Sequence, residues 1–200
     1  MITAIVLAAG ESKRMGQPKM LLPWGDETVL GRVLSVIKSA QIENILVVTG
    51  GAREQVEGIA NIYDAPTIFN PEFARGEMLS SIQAGLKYLS SPLDVGRAEE
   101  GATLICLGDQ PQVEERSVRL IIEEYERTHD SLIVPSYHMR RGHPWLIGKE
   151  WWAEILSMQA PESPREFLNR HSNDIHYVNI DSPTILADLD TPEDYLKSRP

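Results

Sequence analysis

The chain has 200 residues, an apolar fraction of 42%, a charged fraction of 24% and a formal net charge of −10. This length suits one domain with a real core, and the acidity argues against general binding to nucleic acid or anionic membranes, whose partners are usually basic. No apolar run approaches the roughly 20 residues needed to cross a bilayer, and the single cysteine, Cys106, can form no intrachain disulfide.

The first predicted element is a strand over residues 2–9, ITAIVLAA, apolar on both faces as a strand inside a parallel sheet should be. It runs straight into the loop GESKRMGQPK with neither a basic leader nor a small-residue cleavage site. No secretory signal is therefore expected, and a cytoplasmic location is the default. Gly10 allows a sharp turn that uncovers backbone N–H groups, and Gly16 allows a ligand to approach the main chain. Lys13, Arg14 and Lys19 place three cations beside them in an otherwise acidic protein. Exposed N–H groups and cations together suit a polyphosphate. The spacing matches neither a Walker A loop nor the dinucleotide fingerprint, and a plain strand-to-helix turn with incidental cations is the alternative.

Residues 28–40 follow a helical period, with Thr28 as N-cap after Gly25 and Asp26. A buried strand over 44–51, a short helix over 52–60 and a third strand over 65–70 come next. Residues 76–91, GEMLSSIQAGLKYLSS, read as a helix opened by glycine, and 92–102 as a polar connection. Residues 102–111, ATLICLGDQP, read as a buried strand that stops at Gly108, with Cys106 a core thiol.

An amphipathic helix is expected over 114–128, with Glu123 and Glu124 on a solvated face, followed by a strand over 131–137. The punctuation Gly142-His143-Pro144 predicts a turn into an edge strand. Helices should follow in GKEWWAEILSM and SPREFLNRH. Residues 174–180 alternate as a half-exposed strand does, and TPEDYLKS should be a terminal helix capped by Thr191 with Pro192 at its first position. Trp145, Trp151 and Trp152 are expected to cover core or a pocket wall. His129, His138, His171 and His176 show no zinc spacing.

Strands alternating with helices imply an α/β domain, a three-layer αβα sandwich around a mostly parallel sheet. Ligands bind beyond the carboxyl ends of such strands. The opening loop, the GDQP turn and HMRRGHP all fall there, and are expected to share one crevice.

The segment LAAGESKRMGQPKMLLPWGDETVL resembles the signature of nucleotidyltransferases built on a GT-A-like Rossmann sheet, L-A-[AG]-G-x-S-x-R-M-G-x-x-K-x-L-L-x-x-x-G-x-x-x-L, at every fixed position. With GEMLSSIQAGL, GDQP, RRGHPWLI and DLDTPEDY in that order, the chain is most similar to the molybdenum cofactor cytidylyltransferases, over residues 2–195. The resemblance implies a single nucleotidyltransferase domain, with nucleotide bound by roughly residues 1–112 and the acceptor by roughly 113–200. It implies that Leu7, Ala8, Ala9 and Gly10 face the base and ribose. Ala-Ala-Gly looks like the cytidylyl version and Ala-Gly-Gly like the guanylyl one; the methyl of Ala9 would narrow the base pocket, an effect worth about 1–3 kcal/mol at most.

Arg14 is the candidate grip on the β- and γ-phosphates, since a guanidinium forks onto phosphate oxygens. Lys19 matches the lysine that stabilises charge at the α-phosphate. Ser12 either caps the loop or touches a phosphate, and Lys13 is expected to be solvated. Asp109 either holds Mg²⁺ against the triphosphate or forms an Asx turn. Asp190 is the second candidate metal ligand and Asp188 the reserve, though either could merely cap the last helix. Gly76, Ser80 and Ser81 would reach the cytosine edge. Arg141, Gly142, His143 and Pro144 would line the acceptor side, with His143 either donating to an acceptor phosphate or holding a turn.

The implied reaction is magnesium-dependent transfer of CMP from CTP to molybdopterin, serving a molybdenum hydroxylase. GTP, or a sugar or polyol phosphate acceptor, is the alternative within the family. A non-catalytic cofactor carrier is the alternative outside it.

Overall fold

A computed structural model describes residues 1–75, 77–91 and 101–200. Gly76 and most of the predicted polar connection at 92–102 lie outside the described residues. Strand β1 (Ile2–Ala8) forms the middle of the sheet, pairing in parallel with β4 (Asn44–Thr49) and with β6 (Ala102–Leu107). Its alternate side chains enter two different cores, as the apolar run requires. Ala4, Val6 and Ala8 pack under helices α1 (Val29–Ser39), α2 (Arg53–Ile62) and α4 (Glu115–Thr128). Ile5 and Leu7 pack under α3 (Glu77–Leu89), α5 (Trp152–Ser157) and α6 (Pro164–Arg170). Trp145 and Trp152 are buried on that second side, and Cys106 is a buried free thiol.

Thr28 caps α1 by accepting the Gly31 N–H at 3.0 Å. Helix α6 and the terminal helix α7 (Pro192–Ser198) each open with a capping box, Ser163–Glu166 and Thr191–Asp194, with proline in the first turn. The short hairpin β2 (Pro23–Trp24) and β3 (Glu27–Thr28), turning at Gly25 with φ +61°, is absent from the sequence reading.

The full sheet runs β10-β7-β9-β6-β1-β4-β5, with β8 (Arg140–Arg141) on β7. Strand β5 spans Thr67–Phe69, β7 Leu132–Tyr137, β9 Trp145–Gly148 and β10 His176–Asn179. The expected edge strand at RRGHPWLIG is instead internal: β9 lies antiparallel to both β6 and β7. The reason is its side chains. Trp145, Leu146 and Ile147 are all buried, which an edge would not allow, and Pro144 stands just before the first paired residue, where its missing N–H costs nothing. The half-exposed edge is β10.

Glu124 also departs from expectation. It is ion-paired to Arg127 and contacts the His176 Nε2, while His176 Nδ1 lies 2.7 Å from Asp130, so this carboxylate fastens β10 to α4 rather than only facing water. Among the described residues no helix is long and apolar enough to cross a membrane.

Candidate functional site

At the carboxyl ends of β1 and β6 a cleft of about 450 Å³ opens between the first loop, the start of α3 and the C-terminal segment. Its walls divide by chemistry. Leu7, Ala9, Phe73, Met78 and Leu107 form an apolar end with Ser81 among them, and Arg14, Lys19, Asp109 and Asp190 form a charged end.

The loop is shaped by its own backbone. Ser12 has φ +53° and Gly16 φ +73°, and the N–H groups of Met15 and Gly16 both donate to the Ser12 carbonyl, at 3.0 and 3.1 Å. The Ser12 hydroxyl accepts the Lys19 N–H at 3.0 Å, so Ser12 closes the loop while also lining the cleft. Gly16 supplies the left-handed turn, and a Cβ at either Gly10 or Gly16 would touch nothing within 4 Å, so both leave an open approach to the main chain. Close packing falls on Gly50, after β4: a Cβ there would overlap the Ala9 carbonyl and come within 2.8 Å of the Ala9 Cα.

Each cation of the loop faces a carboxylate. Lys13 pairs with Glu11 at 2.7 Å and is otherwise solvent-exposed. Arg14 Nη1 donates to Asp190 Oδ2 at 2.8 Å. Lys19 Nζ is paired with Asp109 and lies 3.6 Å from Asp190 Oδ1. Its side chain is 12% exposed and that of Asp109 20%, so this is the best sheltered pair of the site. Gln110, buried beside Asp109, donates Nε2 to Asp188 Oδ1 at 2.8 Å. Asp188 keeps an exposed face, but its carboxyl is held above the usual carboxylate range. Partial withdrawal from water is the main cause; the charges of Asp109 and Asp190 add to it, against the Gln110 donor and Lys19.

Leu189, fully buried between the two aspartates, explains how a segment near the C-terminus reaches the first loop. It packs with Met15, Leu22, Trp24 and Val29, and Tyr195 closes the contact by donating to the Pro23 carbonyl at 2.6 Å.

The loop and the GDQP turn therefore share a crevice, joined by Asp190, but HMRRGHP does not line it. Arg141 donates to Tyr177 Oη at 2.9 Å and to Asn169 Oδ1 at 2.8 Å. A Cβ at Gly142 would come within 2.8 Å of the Ile185 Cβ, and Pro144 lines a small apolar gap with Cys106 and Val118 on the opposite face. His143 stacks on Trp145, ring centroids 4.2 Å apart, with Nδ1 sequestered and unpartnered; burial pushes its imidazole down to about 4, against the Ile105 carbonyl, so the ring is neutral. Ser81 lines the cleft; Ser80 lies beside it, and both hydroxyls accept from Asn70. Asn70 and Gln110 were not singled out in the sequence. The signal was present in Asn-Pro after a strand and in the polar residue following Asp109.

The charged end offers oxygen donors only. Among the described residues no group of three or more His, Cys, Asp or Glu side chains is placed to hold a metal ion. A magnesium ion takes one or two carboxylates and completes its shell with water and phosphate oxygens, so Asp109 with Asp190 fits it without a preformed cage.

A model of the MobA-like NTP transferase domain matches residues 4–175. The molybdenum cofactor cytidylyltransferase of Escherichia coli is 30% identical over 200 residues, covering 99% of this chain and 95% of the relative. A probable molybdenum cofactor guanylyltransferase of Bacillus mycoides is 26% identical over 130 residues, 64% of this chain and 59% of the relative. The crystal structure of Rv0371c from Mycobacterium tuberculosis superposes with a TM-score of 0.82 at 28% identity, covering 98% of this chain and 95% of the other. Its complex with manganese superposes with a TM-score of 0.77 at 27% identity, covering 98% and 96%.

Proposed function

This chain belongs to the MobA-like NTP transferase family and is a nucleotidyltransferase, and on that premise we propose that it transfers CMP from CTP to molybdopterin with the help of Mg²⁺. The observation that carries the reading is the charge balance of the cleft: Lys13, Arg14 and Lys19 face Glu11, Asp109 and Asp190. A bare polyphosphate would meet as much negative charge as positive there. A metal–triphosphate complex suits both halves, with carboxylates toward the metal and cations toward the phosphates. CTP and molybdopterin are favoured by the near full-length likeness to the Escherichia coli cytidylyltransferase.

In this reading the apolar end holds the base, with Ala9 backing it and Ser81 at its edge. Arg14 leaves Asp190 to fork onto the β- and γ-phosphates. Lys19, held by Asp109 on one side and by its own N–H to Ser12 on the other, is aimed at the α-phosphate, where charge accumulates. Asp109 and Asp190 are the residues that would hold Mg²⁺, which supplies charge neutralisation on the phosphates. An oxygen of the acceptor phosphate forms the new bond to the α-phosphorus as the bond to the bridging oxygen breaks, and pyrophosphate departs with those electrons. The attacking phosphate is already ionised at neutral pH, so positioning and charge are sufficient and no strong base is needed. The nucleotide is assigned to roughly residues 1–112 and the acceptor to roughly 113–200, with Gly142 and His143 shaping its side through the turn at Ile185 rather than through the nucleotide cleft.

The test is incubation with labelled CTP or GTP, Mg²⁺ and molybdopterin, with the product identified. The cytosine dinucleotide is expected. Product from GTP alone would overturn the base, and transfer only to a sugar phosphate would overturn the acceptor.

A further inference from the structure

We propose that Asn70 is a positioning residue that sets the direction of the Ser81 hydroxyl, so that Ser81 presents a hydrogen-bond donor to an acceptor atom on the base of the bound nucleotide. The inference rests on reading the cleft as a nucleoside triphosphate site.

Asn70 follows β5 and is 2% exposed. Its Oδ1 accepts the Glu72 N–H at 2.9 Å. A backbone N–H can only donate, so this bond fixes which end of the amide is oxygen and turns Nδ2 the other way. The two Nδ2 hydrogens are then directed to Ser80 Oγ at 2.9 Å and to Ser81 Oγ at 3.1 Å. The Asn70 main chain is held too, donating to the Thr49 carbonyl at 2.9 Å. Little freedom is left to this side chain.

Ser81 therefore spends a lone pair on Asn70 and keeps its hydrogen to give away. It is 4% exposed, lies among the apolar wall residues of the cleft, and its hydrogen has no acceptor among the described residues. A buried hydroxyl hydrogen without an acceptor is unfavourable, and the occupant of the cleft is what can take it. The partner must carry a lone pair at the base edge, as the ring nitrogen and carbonyl oxygen of cytosine do. A guanine edge that offers ring N–H and amino hydrogens would set donor against donor. Asn70 touches no ligand in this arrangement; it acts through Ser81.

A double-mutant cycle tests this on the full chain, read by calorimetric titration with two probes, Mg-CTP and Mg-tripolyphosphate. Ser81→Ala and Asn70→Ala are each expected to weaken Mg-CTP about tenfold. The double variant should be no weaker than Ser81→Ala, with tripolyphosphate affinity unchanged. A merely structural Asn70 would weaken both probes alike. Equal losses with tripolyphosphate, additive losses in the cycle, or undiminished Mg-CTP binding by Ser81→Ala each overturn the inference. If Asn70→Ala does not fold, Asn70→Asp takes its place, since it keeps the acceptor for Glu72 and removes the donor. Wild-type protein that binds no CTP overturns the nucleotide reading itself, and the inference with it.

Discussion

Arg14 reaches Asp190 across the mouth of the cleft at 2.8 Å, joining residues 176 positions apart in the chain. Both side chains are largely exposed, so the pair stabilises the free protein by no more than about 1 kcal/mol. A pair this weak can be exchanged for a phosphate on one side and a metal on the other. Asp190→Asn leaves Arg14 without its carboxylate. Binding of tripolyphosphate in a chelator is expected to tighten roughly threefold, while CMP transfer with Mg²⁺ falls at least about tenfold. Titration with and without the divalent cation reads both; weaker binding in chelator would show that Arg14 does not serve the polyphosphate.

Lys19 and Asp109 are sheltered partners, and each is assigned to charge stabilisation. Lys19→Ala and Asp109→Ala should each lower CMP transfer by roughly 100-fold or more, with the far-ultraviolet circular dichroism unchanged. Full turnover by either variant would refute the mechanism.

Gly50 has no room for a side chain because the Ala9 backbone lies against it. Gly50→Ala must push the end of β1 outward, at a cost of roughly 1–3 kcal/mol. Both a lower melting temperature and a raised KM for CTP are expected. The same kcat/KM as wild type would mean that the Ala9 main chain does not border the nucleotide.

Ala9→Gly removes the methyl that narrows the base end. The ratio of kcat/KM for CTP over GTP should fall, by at most about a hundredfold. An unchanged ratio would move base selection elsewhere, with Ser81 the next candidate.

His143 has its imidazole held at about 4 by burial, against 6.5 for the free group. The unfolded chain therefore takes up the proton first as pH falls. This contribution to stability is complete above about pH 6.5 and is lost progressively toward pH 4, by roughly 2–3 kcal/mol. His143→Phe keeps the stacking on Trp145 and should flatten the stability profile in that window, as measured by urea unfolding at stepped pH. An equally steep profile would assign the dependence to other groups.

The fold could be read from the chain wherever burial and period agreed. The apolar run of β1 announced a strand covered on both sides, and the Thr28 and Thr191 caps stand where their hydroxyls predict. The position of β9 could not be read so directly. Four residues between a Gly-His-Pro turn and a helix look marginal locally, and only their pairing with β6 and β7 explains why all are buried. The loop residues Arg14 and Lys19 and the aspartates Asp109 and Asp190 were legible from motif chemistry. That they neutralise one another was not, because the contacts to Asp190 depend on Leu189 docking beside Met15 and the Lys19–Asp109 pair on β1 lying beside β6. Asn70 stayed hidden for a similar reason: an asparagine after a strand suggests a turn, and its second task appears only when α3 is packed beside it.

The reversed strand also joins a piece of the sheet built from local pairings to one built from distant pairings. Strands β7, β8 and β9 are close in sequence and pair antiparallel, so they can form from local contacts with little loop-closure entropy. The parallel block of β1, β4, β5 and β6 depends instead on long crossovers. The β6–β9 ladder is where these two pieces meet. The segment around Leu189 seats against Met15 and Leu22 of the first loop, so each holds the other in place. Without residues 188–190 the cleft would keep its loop cations and Asp109 but lose the carboxylate latch that Asp190 supplies.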